Sequence, residues 1–251
     1  MAYQEMALLY DQLMVGTPYD KWLTFTKEII EKSGKNVSVI ADLGCGTGEV
    51  TIRLAEAGYM LYGVDYSTDM LSHAQQKGSK KNLPIQWLMQ DLRELRGLEN
   101  LDAVVSYCDV MNYIVSEADL RTVFSNIFNS LKADGLFIFD VHAMNYVEEQ
   151  MIDHSFTEVT DEIIYIWDCI GSDVAGEMHH DLTFFSMDEH GKYDRFDEYH
   201  HQRTYSIEFY RHILLETGFE NIEVYGDFCS ENQKTSKKAE RIFFVANKGS
   251  R

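Results

Sequence analysis

Only two prolines interrupt this chain of 251 residues, so it has no proline-rich linker and reads as one continuous folded unit. Its cysteines, Cys45, Cys108, Cys169 and Cys229, are scattered without C-x-x-C spacing. That argues against a zinc ribbon or a disulfide framework and for reduced, mostly packed thiols. No apolar run approaches the roughly 18 residues of a membrane span. The first residues also lack the basic and apolar stretches of a secretory signal, so a cytoplasmic protein without a membrane partner is expected. Basic residues are scarce: 22 Lys plus Arg stand against 41 Asp plus Glu, a net charge of −19. Between Glu148 and Glu198, 15 acids meet only Lys192 and Arg195, so this fifth of the chain carries −13 of the total. A nucleic-acid enzyme needs cations to replace the counterions of phosphates, so DNA or RNA is not the expected partner. The acidic stretch reads either as a solvated face or as an attractor of cationic, amino-bearing substrates. Lys234, Lys237, Lys238 and Arg241, the only basic cluster, read as a loop before the last strand.

What the chain does have is a glycine loop. Val37, Val39 and Ile40 are β-branched strand formers, and Asp42-Leu43-Gly44-Cys45-Gly46-Thr47-Gly48 turns that strand into a segment of helical spacing from Glu49. Closely spaced glycines permit positive φ and let a ligand approach bare backbone. A dinucleotide fingerprint wants its third glycine one position later, where Glu49 stands, so a nicotinamide cofactor fits poorly. Carboxylates at Asp42 and Glu49 disfavour a polyanion and suit ammonium or sulfonium charge. A second strand, Tyr59 to Val64, ends at Asp65, and Ser67 caps the following helix.

Strands are expected near 37–42, 59–65, 85–88, 101–107 and 135–141, alternating with helices near 49–57, 67–79 and 117–132 after helices at 3–14 and 19–33. Alternation implies a parallel sheet covered on both faces. After His142 the pattern changes to aromatic and β-branched segments at 163–169, 178–187 and 196–205, read as an antiparallel insertion of about three strands. A helix at 206–217 with Gly218 behind it, and strands at 220–226 and 241–247, return to the core. The expected fold is α/β: a doubly wound, mostly parallel, seven-stranded Rossmann-like sheet with an antiparallel β lid. It divides into a helical cap (1–34), a core (35–142 and 204–248) and the lid (143–203), all within one domain.

D-L-G-C-G-T-G and G-V-D-Y-S-T-D-M-L (63–71) resemble the first two motifs of class I S-adenosylmethionine-dependent methyltransferases. Leu131-Lys132-Ala133-Asp134-Gly135 resembles the family's turn into strand five, with Asp134 in place of a glycine. Arg203-Thr204-Tyr205-Ser206-Ile207-Glu208-Phe209 is similar to the stretch after the lid in small-molecule N-methyltransferases, including amino-sugar N,N-dimethyltransferases. The resemblance implies S-adenosylmethionine as cofactor and Tyr19, Asp42, Gly44, Cys45, Gly46, Gly48, Asp65, Tyr66, Met70, Asp91, Leu92 and Cys108 as its site. Asp65 would hold the ribose, Tyr66 and Met70 would flank the adenine, and Asp91 would reach its amino group.

Ligands of such sheets sit at the carboxyl ends of the strands. Asp109-Val110-Met111-Asn112-Tyr113 after strand four is unlike the box of base-amino methyltransferases and similar to the D-x-x-N-Y/H segment of the small-molecule branch. Tyr113, His142 and Asp109 are the candidate catalytic groups; Tyr10, Asn112, His201 and Arg203 are the candidate acceptor contacts. The implied reaction is in-line attack of an amine nitrogen on the methyl group, with alignment and a dry site as the protein's main contribution. No metal is expected, because His179-His180 and His200-His201 each point to opposite faces of a strand. An RNA or protein acceptor, a non-catalytic cofactor-binding regulator and a homodimer stay open.

Overall fold

The computed structural model describes residues 10–11, 13–14, 16–188, 190–230 and 238–249. Seven strands form the main sheet: β1 (Val39–Leu43), β2 (Met60–Asp65), β3 (Ile85–Met89), β4 (Leu101–Ser106), β5 (Leu131–His142), β10 (Phe219–Gly226) and β11 (Arg241–Lys248). Their order is β10-β11-β5-β4-β1-β2-β3, and β11 alone runs antiparallel to its neighbours. The order reverses between β1 and β4, so the loops leaving these two strands diverge and open a crevice. Five helices flank the sheet: α1 (Tyr19–Ser33), α2 (Glu49–Glu56), α3 (Thr68–Lys80), α4 (Glu117–Ser130) and α5 (Ile207–Thr217).

Period-two alternation along β5 distributes its side chains between two layers. Phe137 and Phe139, stacked at 4.7 Å, join Phe124 of α4 and Tyr210 of α5 on one face. Leu136 and Ile138 join Trp22, Phe25 and Ile29 of α1 on the other. Both faces being covered, the strand carries an apolar run broken by one buried acid, Asp140. Ser67, Ser116 and Ser206 cap α3, α4 and α5, each accepting a hydrogen bond from a backbone N–H three residues on.

The expected doubly wound sheet is present, with two local corrections. First, the antiparallel sheet has four strands, β6 (His154–Val159), β7 (Ile163–Gly171), β8 (Glu177–Met187) and β9 (Tyr193–Arg203), rather than three. The extra one, β6, is an edge strand with Phe156 as its one half-buried hydrophobe, so no alternating apolar pattern announces it. Second, α4 stops at Ser130 and β5 begins at once at Leu131. The Asp134 that replaces the family's glycine adopts φ 63°, a left-handed conformation that Asp tolerates better than most residues. Of the helix expected at 3–14, residues 3–9 and 12 lie outside the described residues; Tyr10 and Asp11 are helical. Among the described residues no helix is long and apolar enough to cross a membrane.

Candidate active site

The three loop glycines all have positive φ, yet each does something different. A Cβ on Gly44 (φ 74°) would lie 2.4 Å from Val110 of the loop after β4, and one on Gly48 (φ 81°) would lie 2.7 Å from the Trp87 ring. These two close the loop against its neighbours. A Cβ on Gly46 (φ 54°) would meet nothing within 4 Å and would project into open space. Asp65 braces the loop: its carboxylate accepts hydrogen bonds from the Gly46 N–H at 2.8 Å and the Ser67 N–H at 2.9 Å. Burial raises the Asp65 pKa, and these two backbone donors offset part of the rise.

A cleft of about 650 Å³ lies at the crevice between the diverging loops. At one end are Gly44, Gly46, Asp65, Tyr66, Met70, Asp91 and Leu92; at the other are Tyr10, Tyr113 and, from β9, Glu198, Tyr199, His200 and His201. Ten of the expected residues therefore line this cleft, the seven of the first group with Tyr10, Tyr113 and His201 beyond them. Tyr66 is 77 % exposed, an open aromatic face. Asp91 is held by the guanidinium of Arg93, with Nε–Oδ1 2.9 Å, and that partner lowers its pKa. The Tyr113 hydroxyl is 3.3 Å from His200 Nδ1. Its withdrawal from water and the Asp109 carboxylate push the phenol well above its ordinary range, so it stays protonated at neutral pH and is a donor rather than a base.

Other expected site residues sit beneath the cleft rather than in its walls. Asp42 is 2 % exposed and accepts from the Thr51 hydroxyl at 2.6 Å; burial pushes its pKa up to about 7, with Thr51 opposing. Burial likewise pushes the Cys45 and Cys108 thiols up, which makes them inert packing groups. Tyr19 is buried beside Trp22 with Arg53 over its ring. Asn112 is fully buried as a clamp: Nδ2 donates to the Arg203 carbonyl and Oδ1 accepts from the His142 N–H. The Arg203 guanidinium lies over Tyr205 at 4.3 Å. Glu49 is neutralised by Arg53 and Lys77, whose hydrogen bonds overcome burial and lower its pKa, so its charge is not available to the cleft.

Asp109 has a different environment from that of a base. A polar chain runs from the antiparallel sheet into the core. Trp167 Nε1 donates to His180 Nδ1 (2.9 Å), His180 Nε2 meets Gln202 Oε1 (3.1 Å), and Gln202 Nε2 donates to Asp109 Oδ2 (2.9 Å). Arg241 Nη2 donates to Asp109 Oδ1 at 3.1 Å, and its Nη1 lies 3.1 Å from Asp140 Oδ2. Trp22 Nε1 also donates to Asp140, at 2.7 Å. His142 Nε2 is 3.5 Å from Asp109 Oδ2. Burial alone would raise the Asp109 pKa, but His142, Arg241 and Gln202 overcome it and hold the carboxyl well below the usual range. A carboxylate so stabilised is a weak proton acceptor. Burial pushes His180 down to about 4, which keeps it neutral, as its donor and acceptor neighbours require. Arg241, grouped in the sequence with the basic cluster and at the start of the expected last strand, is the first residue of β11 and the cation of this chain. The acid in the apolar run of β5 was the available sequence signal for it; Gln202 and His180 gave none.

The sheet order and the position of the cleft define a doubly wound α/β protein with a nucleoside-sized pocket at the carboxyl ends of β1, β2 and β4. A family model described as a methyltransferase domain matches residues 40–135. A Bacillus subtilis protein named putative methyltransferase YqeM is 40% identical over 249 residues, covering 99% of this chain and 98% of its own. The glycine/sarcosine N-methyltransferase of Aphanothece halophytica is 27% identical over 230 residues, 88% of this chain and 78% of that one. Among solved structures, an S-adenosylmethionine-dependent methyltransferase from Clostridium acetobutylicum superposes with a TM-score of 0.88 at 29% identity, covering 99% of this chain and 100% of that chain. The chain belongs to the family of S-adenosylmethionine-dependent methyltransferases.

Proposed function

We propose that this enzyme methylates a small molecule at an amine nitrogen. The observation that carries the reading is the charge of the cleft's far end. Strand β9 borders it with Glu198, Tyr199, His200 and His201, beside Tyr113 and Asp119, while the one arginine in the walls, Arg93, is paired with Asp91. Such a site attracts an ammonium and gives a polyphosphate no cationic surface. The Aphanothece relative, named for glycine and sarcosine as its acceptors, supports the same class.

The cofactor end fits S-adenosylmethionine in kind: a half-buried carboxylate at Asp65, the open approach at Gly46, and the exposed Tyr66 ring beside Met70. In this reading Asp65 accepts the ribose hydroxyls, Tyr66, Met70 and Leu92 enclose the adenine, Asp91 faces its amino group, and Gly44 and Gly46 run along the methionine part. When bound, the cofactor supplies an activated methyl group and leaves as a neutral thioether. The chain's own residues align the acceptor and keep water out. Tyr113 orients the amine through its hydroxyl, and Tyr10 borders the acceptor end beside it. Asp42, Asn112 and Asp109 act from beneath, fixing the loops that carry these groups.

The test is release of S-adenosylhomocysteine with a panel of small amines, glycine, sarcosine and amino sugars among them, beside total RNA and a protein extract as competing acceptors. Turnover with at least one small amine, and no label in the polymers, is the expected result. Label confined to RNA or protein would refute the reading. Cofactor binding without transfer to any acceptor would favour a regulatory protein instead.

A further inference from the structure

The antiparallel sheet carries a cluster to which the proposed methyl transfer gives no role beyond the place of His201 at the edge of the cleft. Register between β8 and β9 sets His179 opposite His201, and their rings stack at 4.5 Å with 15° between the planes. Glu177, two residues before His179 and so on the same face, places Oε1 2.9 Å from His201 Nε2. One ligand atom from each of the three lies within 4.8 Å of the others. Donors around a tetrahedral zinc, with bonds of about 2.0 to 2.2 Å, stand about 3.3 to 3.6 Å apart, a contraction within reach of side-chain rotation.

The groups behind these donors are engaged in the way that orients metal ligands. The Tyr199 hydroxyl is 2.6 Å from His179 Nδ1, which leaves Nε2 of that ring as the free donor. The Ser172 hydroxyl donates to Glu177 Oε2, the oxygen not facing His201. Outer partners of this kind fix the tautomer and rotamer of a ligand before the ion arrives, and strands hold them more rigidly than loops do. The Arg203 guanidinium, whose Cα is the register partner of Glu177, lies over the Tyr205 ring.

We propose that Glu177, His179 and His201 form a divalent-metal site selective for Zn²⁺. Two imidazoles and one carboxylate suit zinc better than the all-oxygen preference of Mg²⁺ or Ca²⁺. Three protein ligands leave a coordination position open, and strand alternation puts Glu177, His179 and His201 on the face of the sheet opposite His180, His200 and Gln202. The two histidines lie on different strands, which is why spacing within either strand hides the site. The inference stands on this geometry alone and is independent of the acceptor class.

Isothermal titration of ZnCl₂ into the tag-free, chelator-treated full chain tests it, with Co²⁺ absorption as the reporter of coordination number. One tight equivalent is expected, weakened at least about tenfold by His179→Ala and by His201→Ala separately, and less by Tyr199→Phe, which removes only an outer partner. Should an alanine variant lose its native circular dichroism, the isosteric Glu177→Gln decides, because it keeps the shape and removes the ligand charge. No stoichiometric binding to the wild-type chain, or equal affinity in the variants, overturns the proposal.

Discussion

Gly44 and Val110 offer a direct test of how the glycine loop is built. A methyl group at position 44 would have to sit 2.4 Å and 2.5 Å from the two Cγ atoms of Val110, in a backbone with φ 74°. Left-handed backbone costs a non-glycine residue about 1 to 2 kcal/mol, and overpacking adds about 1 to 3 kcal/mol. Gly44→Ala is therefore expected to lose about 2 to 5 kcal/mol, a large part of the stability of an ordinary domain. Val110→Ala removes both Cγ atoms and leaves only the 3.0 Å contact to Cβ, so most of the overpacking disappears in the double variant while the backbone cost stays. Urea unfolding of the four proteins in the cycle should give a favourable coupling of about 1 to 2 kcal/mol. Gly46→Ala is the internal contrast: with nothing within 4 Å of its Cβ it incurs the backbone cost alone, about 1 to 2 kcal/mol. The same methyl should nevertheless weaken S-adenosylhomocysteine binding, measured by calorimetry, because it occupies the cleft. Additive costs for Gly44→Ala and Val110→Ala would refute the reasoning, as would a Gly46→Ala protein with undiminished affinity.

Three further outcomes are expected. Arg241→Met leaves Asp109 and the fully buried Asp140 without their cation, and thermal or urea unfolding should register a loss of about 3 to 5 kcal/mol, a cost that a surface ion pair would not show. Asp42 has a folded pKa of about 7 against an ordinary 3.8, so between those values the folded state holds a proton that the unfolded chain has released. The stability contributed is fully present below the lower value and lost as pH rises through the upper one, on the order of 4 kcal/mol in all. Relative to wild type, Asp42→Asn should thus gain stability between about pH 5 and about pH 8, and an unchanged difference across that range would sink the assignment. Asp65→Ala removes the acceptor of two backbone N–H groups along with the proposed ribose contact, and S-adenosylhomocysteine affinity should fall at least about tenfold, from charged hydrogen bonds of about 1.5 to 3 kcal/mol each.

Features held by neighbours in the chain were legible from the sequence. Gly44 to Gly48, the acid ending β2 and the Ser67 cap each act within a few residues of where they stand, and α1 was bounded at Tyr19 and Ser33 by its apolar stripe alone. Strand β6 was not legible, because an edge strand with little to bury has no reason to alternate.

The sequence by itself determined the class of fold and the glycine loop, since a strand, a turn and a helix cap are set by local spacing, and its resemblance to the methyltransferases implied the cofactor. Tertiary structure alone decided what the charged and polar side chains do. Asp109 is held as a stabilised anion rather than a base because Arg241, 132 residues away, and Gln202, 93 residues away, converge on it. Asn112 is a clamp because the carbonyl of Arg203 and the N–H of His142 reach it across the fold. His179 meets His201 only through the register of two strands. A side chain's ionisation and direction depend on what approaches it in space, and long-range approach leaves no period in the chain.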